Sequence, residues 1–172
     1  MSIKISPNPP HFWVTDLPIV GSLQILYSPA GITRIHMPGR LPPGAVPAST
    51  PIPEAYLSFA ADLRTYFHGR HTQWDVPLDL QGMDGFMRDT LELCRQIPYG
   101  QTRTYGDLAA MLNKQPAAAR AVGMCMAANP IPIVIPCHRV VGKDGKLHGY
   151  SGVGGIQTKA ALLQLEGARL LI

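Results

Sequence analysis

The sequence predicts an α+β fold, written more loosely as α/β: a small N-terminal sheet-plus-helix domain followed by a mainly helical C-terminal domain. Three observations carry this. Residues 19–37 hold two short β-like runs around Ser28-Pro29-Ala30-Gly31. Apolar residues from position 53 onward recur at helical spacing in successive blocks. Proline- and glycine-rich breaks separate those blocks and place a domain boundary between 1–80 and 81–172.

Taken in order, the runs within 19–37 predict a hairpin closed by the Ser28–Gly31 turn. The stretch 38–53, with six prolines and two glycines, predicts an irregular surface loop. A helix is expected over 53–67, with Leu57, Ala60, Ala61 and Leu63 at helical spacing and His68-Gly69 at its end. Residues 75–85, interrupted by Pro77, Gly82 and Gly85, read as the linker. Beyond it, 86–97 predicts a helix stopped by Pro98-Tyr99-Gly100. Two shorter helices follow over 104–112 and 116–127, separated by Asn113-Lys114-Gln115, the pattern of a helix-turn-helix.

At 172 residues, 46% apolar and 15% charged, the composition is that of a globular protein. No run of 18 apolar residues occurs and the N-terminus lacks a signal-peptide pattern, so no membrane association is expected and the compartment is read as cytoplasmic, or nuclear in a eukaryotic source. Residues 98–172 carry eight Lys/Arg against three acids, and the remainder seven against eight. A basic C-terminal half attracts a polyanion such as DNA, although a basic surface alone also fits plain solvation. The cysteines Cys94, Cys125 and Cys137 form an odd set without C-x-x-C spacing, which argues against a disulfide framework and a zinc knuckle.

The apolar run Ile131-Pro132-Ile133-Val134-Ile135 leads into Pro136-Cys137-His138-Arg139. This sets a thiol beside an imidazole, and a thiolate is the reactive form that such a neighbour can supply. A Cys-His pair on its own is common and more often structural than catalytic.

The motifs around it resemble the O6-alkylguanine-DNA alkyltransferase family (methylated-DNA–protein-cysteine methyltransferases). The resemblance runs through Asn129-Pro130 and Ile135-Pro136-Cys137-His138-Arg139-Val140-Val141-Gly142, upstream through Ile97-Pro98-Tyr99-Gly100-Gln101-Thr102, Thr104-Tyr105-Gly106-Asp107-Leu108-Ala109 and Ala118-Ala119-Arg120-Ala121-Val122-Gly123, and downstream through Gly149-Tyr150-Ser151-Gly152, Lys159, Leu162-Leu163 and Glu166-Gly167. It covers about 85 residues closely, in the family's order.

The resemblance implies direct-reversal DNA repair: irreversible transfer of an alkyl group from O6-alkylguanine, and from O4-alkylthymine, to Cys137 in a single turnover without a cofactor. The partner implied is double-stranded DNA bound through the minor groove by a monomer, with cooperative loading on DNA. An alkylated O6 lies on the edge of a stacked base, so the base must be rotated out. By resemblance Arg120 is the finger that fills the vacancy, and Ala118, Ala119, Ala121 and Gly123 allow close approach of the helix to the groove. Cys137 attacks, His138 takes the thiol proton, Glu166 orients the imidazole and Asn129 fixes the active-site turn. Tyr105 donates to a ring nitrogen of guanine; Tyr150, Ser151 and Met126 wall the alkyl pocket; Val140 and Cys137 offer carbonyls to the exocyclic amine; Lys159 bonds Tyr150 or backbone. Relatives that bind zinc do so through cysteines this chain lacks, so no metal is expected, and His11, His36, His68 and His71 read as surface or structural histidines.

Two departures stand out. The segment between Tyr150 and Lys159 is two residues longer than the family spacing, with Ala161 where a Trp is usual, which predicts a looser substrate loop. The first helix of this half, Phe86-Met87-Arg88-Asp89-Thr90-Leu91, lacks the Gln and Trp of the family's pattern. Two other functions compete: a module that flags alkylguanine without transferring it, against which Cys137 itself argues, and a cysteine hydrolase, which leaves the DNA-binding motifs unexplained.

Overall fold

The computed structural model of the chain describes residues 9–47, 50–150, 152 and 154–168. Three antiparallel strands, β1 (His11–Leu17), β2 (Gly21–Ser28) and β3 (Gly31–His36), form a sheet in that order. The predicted hairpin is β2–β3, paired from Gln24–His36 to Ser28–Gly31. The added strand is β1, paired with β2 from His11–Leu26 to Leu17–Gly21 and interrupted by a bulge between Val14 and Leu17. Phe12, Trp13 and Val14 are all buried, so β1 carries no period-two alternation to announce it.

After the irregular loop, a 3-10 turn (Glu54–Tyr56) runs into α1 (Leu57–Phe67). Its chain reverses at His68 and Gly69, the glycine at φ +78°. The segment 75–85 is docked rather than free. Ile32 N donates to Pro77 O at 2.9 Å and Asp79 N donates to Ile32 O at 2.9 Å, so the linker covers the outer edge of β3. Gly31 is required there, because a Cβ would strike the Pro77 carbonyl.

Asp84 caps α2 (Gly85–Arg95), accepting from Met87 N at 2.8 Å. Thr104 and Asp107 form a reciprocal capping box at the start of α3 (Tyr105–Met111). The predicted 116–127 helix opens as a 3-10 turn, Pro116–Ala118, before α4 (Ala119–Ala127), which packs on α2 and α3. A two-residue parallel pair, β4 (Arg103–Thr104) with β5 (Val140–Val141), ties the start of α3 to the chain just after Cys137. The fold closes with α5 (Ile156–Leu165). Mixed α/β architecture with a small sheet and packed helices is therefore the fold, and its buried apolar residues form one cluster running from Phe12 through Leu63 and Leu108 to Leu162. Among the described residues no helix is long and apolar enough to cross a membrane.

Candidate active site

The chain reaches Cys137 through a buried, irregular run. Ile133 sits at φ +75°, a conformation β-branched residues rarely adopt, so neighbouring structure must hold it. Asn129 does so from both ends of its amide: Nδ2 donates to Ile135 O at 2.8 Å and Oδ1 accepts from Ile131 N at 3.0 Å. β3 braces the same run, with Ile35 N donating to Pro130 O at 2.8 Å. Cys137 begins a 3-10 turn that carries His138 and Arg139 inward.

Behind Cys137 lies a closed charge network. His138 Nε2 donates to Glu166 Oε1 at 2.8 Å, since a carboxylate only accepts. That fixes the tautomer and leaves Nδ1 as the ring's lone-pair nitrogen, with no hydrogen-bond partner among the described residues. Glu166 is held further by Arg139 (Nε to Oε2, 2.8 Å; Nη2 to Oε1, 2.9 Å), by Gly100 N (3.2 Å) and by Tyr66 Oη (2.6 Å). Although burial opposes it, the bonds from His138 and Arg139 hold the Glu166 carboxyl well below the usual carboxylate range. Burial lowers His138 despite Glu166, and burial raises the Cys137 thiol although the Asn129 side chain and the Lys159 charge pull it down. The resting pair is therefore thiol and neutral imidazole.

In front of Cys137 opens a cleft of about 800 Å³ lined by Tyr105, Tyr150, Arg120, Met126 and Arg40 among others. Ala119, Arg120, Gly123, Met126 and Ala127 reach it from one face of α4 at helical spacing. Lys159, buried on α5, donates to Val140 O at 2.6 Å, His148 O at 3.1 Å and Tyr105 Oη at 3.4 Å, and burial lowers it to about 8.

The expected residues thus fall into two groups. Cys137, Tyr105, Tyr150, Met126, Arg120, Ala119 and Gly123 line the cleft, while His138, Glu166 and Asn129 stand behind the thiol. Lys159 takes the backbone alternative, and the Val140 carbonyl it grips is not part of the lining. Ala118 and Ala121 lie beside the cleft without lining it, and Ser151 falls outside the described residues. Sequence reasoning missed Arg40 and His148 as lining, Arg139 as a Glu166 partner and Tyr66. Arg139 was visible inside its motif, whereas Tyr66 looked like any apolar-face aromatic on a helix. No group of three metal-ligating side chains occurs among the described residues.

A family model described as the DNA-binding domain of 6-O-methylguanine DNA methyltransferase matches residues 85–168. A methylated-DNA–protein-cysteine methyltransferase of Mycobacterium bovis is 42% identical over 159 residues, covering 92% of this chain and 93% of its own. Among solved structures, Mycobacterium tuberculosis OGT in complex with DNA superposes with a TM-score of 0.74 at 41% identity, over 91% of this chain and 92% of that one. An O6-methylguanine DNA methyltransferase from Methanococcus jannaschii does so at 0.62 and 30% identity, over 89% and 92%.

Proposed function

The chain belongs to the methylated-DNA–protein-cysteine methyltransferase family, and from that premise we propose how its residues divide the work of direct-reversal DNA repair. It binds DNA and moves an alkyl group from O6 of guanine to its own cysteine, which we assign to Cys137. The observation that carries the assignment is a thiol lining a cleft with ample room for an extruded base, backed by a His138–Glu166 pair at 2.8 Å.

The face of α4 presented to the cleft enters the minor groove, with α3 and α4 acting as the helix-turn-helix, and Arg120 occupies the space the extruded base leaves. Cys137 Sγ then attacks the alkyl carbon: the S–C bond forms, the C–O6 bond breaks, and the electron pair leaves on guanine. The thiol proton passes to His138 Nδ1 through a water. Guanine recovers a proton at its ring through the hydroxyl of Tyr105, whose oxygen Lys159 steadies. Water returns a proton to Tyr105 and carries away the one held by His138, so the products are guanine and S-alkylcysteine with both side chains restored. Tyr150 and Met126 flank the alkyl group. In this scheme 1–80 supports and 81–172 carries the chemistry. The protein acts as a monomer in the cytoplasm or nucleus, loads cooperatively on DNA and uses O4-alkylthymine as a second substrate; three free cysteines suit a reducing compartment.

Incubation with duplex DNA carrying O6-methylguanine, followed by peptide mass spectrometry, tests the assignment. One methyl on Cys137 in equimolar yield is expected, and none in Cys137→Ser. Methylation elsewhere, or transfer retained by Cys137→Ser, overturns it.

A further inference from the structure

We propose that Tyr66, on α1 in the N-terminal half, is a positioning residue for alkyl transfer: by donating to the Glu166 oxygen that holds His138, it sets how strongly His138 takes the proton of Cys137. This rests on the alkyl-transfer reading of the same site.

The geometry places three donors on one oxygen. Glu166 Oε1 accepts from Tyr66 Oη at 2.6 Å, His138 Nε2 at 2.8 Å and Arg139 Nη2 at 2.9 Å. Tyr66 Oη also lies 3.4 Å from His138 Nε2. A carboxylate oxygen has two lone pairs, so three donors compete and each weakens the hold of the others. Arg139 is fixed by its second bond to Oε2, which leaves Tyr66 as the donor that trades directly against His138.

Tyr66 is fully buried, its ring edge-on to Phe67 and Tyr99 and tilted against Trp74. The charged and titratable groups that face it are Glu166 at the end of α5, Arg139 and His138 of the active-site turn, Tyr150 and Tyr99; those facing His138 are Glu166, Arg139, Lys159 and Tyr66 itself, with Cys137 adjacent in the chain. Burial first, then Glu166, raises the Tyr66 hydroxyl well above the usual phenol range, so it remains a donor throughout the working range of pH. Removing that donor returns electron density of Oε1 to His138 and stabilises the imidazolium. A stronger donor does the reverse. A phenol that only fills space changes neither.

The test uses the full chain with isotope-labelled histidine. The ring nitrogens of His138 are titrated by NMR in the unaltered protein, in Tyr66→Phe, and in protein carrying a ring-fluorinated tyrosine at 66, whose more acidic hydroxyl is a stronger donor of nearly the same shape. Single-turnover transfer rates on O6-methylguanine duplex are followed over the same pH range. The His138 midpoint is expected to rise by about half a pH unit in Tyr66→Phe and to fall in the fluorinated protein, with the acid limb of the rate moving alongside. A midpoint unmoved in both, or moved the same way in both, overturns the proposal, even if stability falls. Should Tyr66→Phe not fold, the fluorinated protein decides alone. If the unaltered protein leaves Cys137 unmethylated, the alkyl-transfer reading fails, and the ring titration still decides the role of Tyr66.

Discussion

Asn129 bonds two buried backbone groups with one amide, and its removal strands one of them. Asn129→Ala leaves the Ile131 N–H without its partner, at about 1–3 kcal/mol for such a group, while the Ile135 carbonyl keeps the Cys137 N–H at 2.8 Å. We predict a loss of about 1–3 kcal/mol in urea unfolding, with slower transfer because the Asn129 side chain no longer pulls the thiol down. Glu166 makes a prediction of opposite kind. Its folded-state acidity is stronger than its ordinary value of 4.5, so its contribution is complete above that value and is lost as pH falls through and below it. Between about pH 5 and about pH 3, the urea midpoint of the unaltered protein should therefore fall more steeply than that of Glu166→Gln. At this scale the sequence was informative where a motif is contiguous, as for Cys137 and His138. It was silent on Tyr66, whose partner lies 100 positions away, because a buried hydroxyl is visible only once its acceptor is placed.

The outer edge of β3 is the element on which both halves meet. The linker occupies it at Ile32, and the run leading to Cys137 occupies it at Ile35. Gly31→Ala forces a methyl against the Pro77 carbonyl at a φ of +145°. We predict faster proteolysis and amide exchange within 75–85 in that variant, with little change at α4. Element types were largely legible, since the later helices carry apolar periodicity and local caps such as Thr104 with Asp107. The missed strand, β1, is buried on consecutive residues and bulged, and the linker's docking depends on backbone hydrogen bonds that no side-chain pattern encodes.

Across the whole molecule, the apolar interior crosses position 80 without interruption, joining Leu63, Tyr66 and Phe67 to Ile97, Leu108 and Leu162. A fragment beginning at residue 81 would expose the faces these residues cover and would lose the Tyr66 donor. We predict that it fails to give dispersed NMR spectra and fails to accept methyl groups from DNA, whereas the full chain does both. The composition break near 80 was legible as a change in character along the chain. Continuity of packing was not, because it depends on which faces meet.

One further consequence follows from the placement of the sulfur. Only 4% of Cys137 is exposed, and its proton is held more tightly than that of a free thiol. Small electrophiles and oxidants that seek out thiolates therefore find little of the reactive form to consume. Under the assignment of Cys137 proposed above, such reticence lengthens the shelf life of a single-use acceptor: its sulfur stays intact until a base swung into the cleft presents the carbon it is to meet.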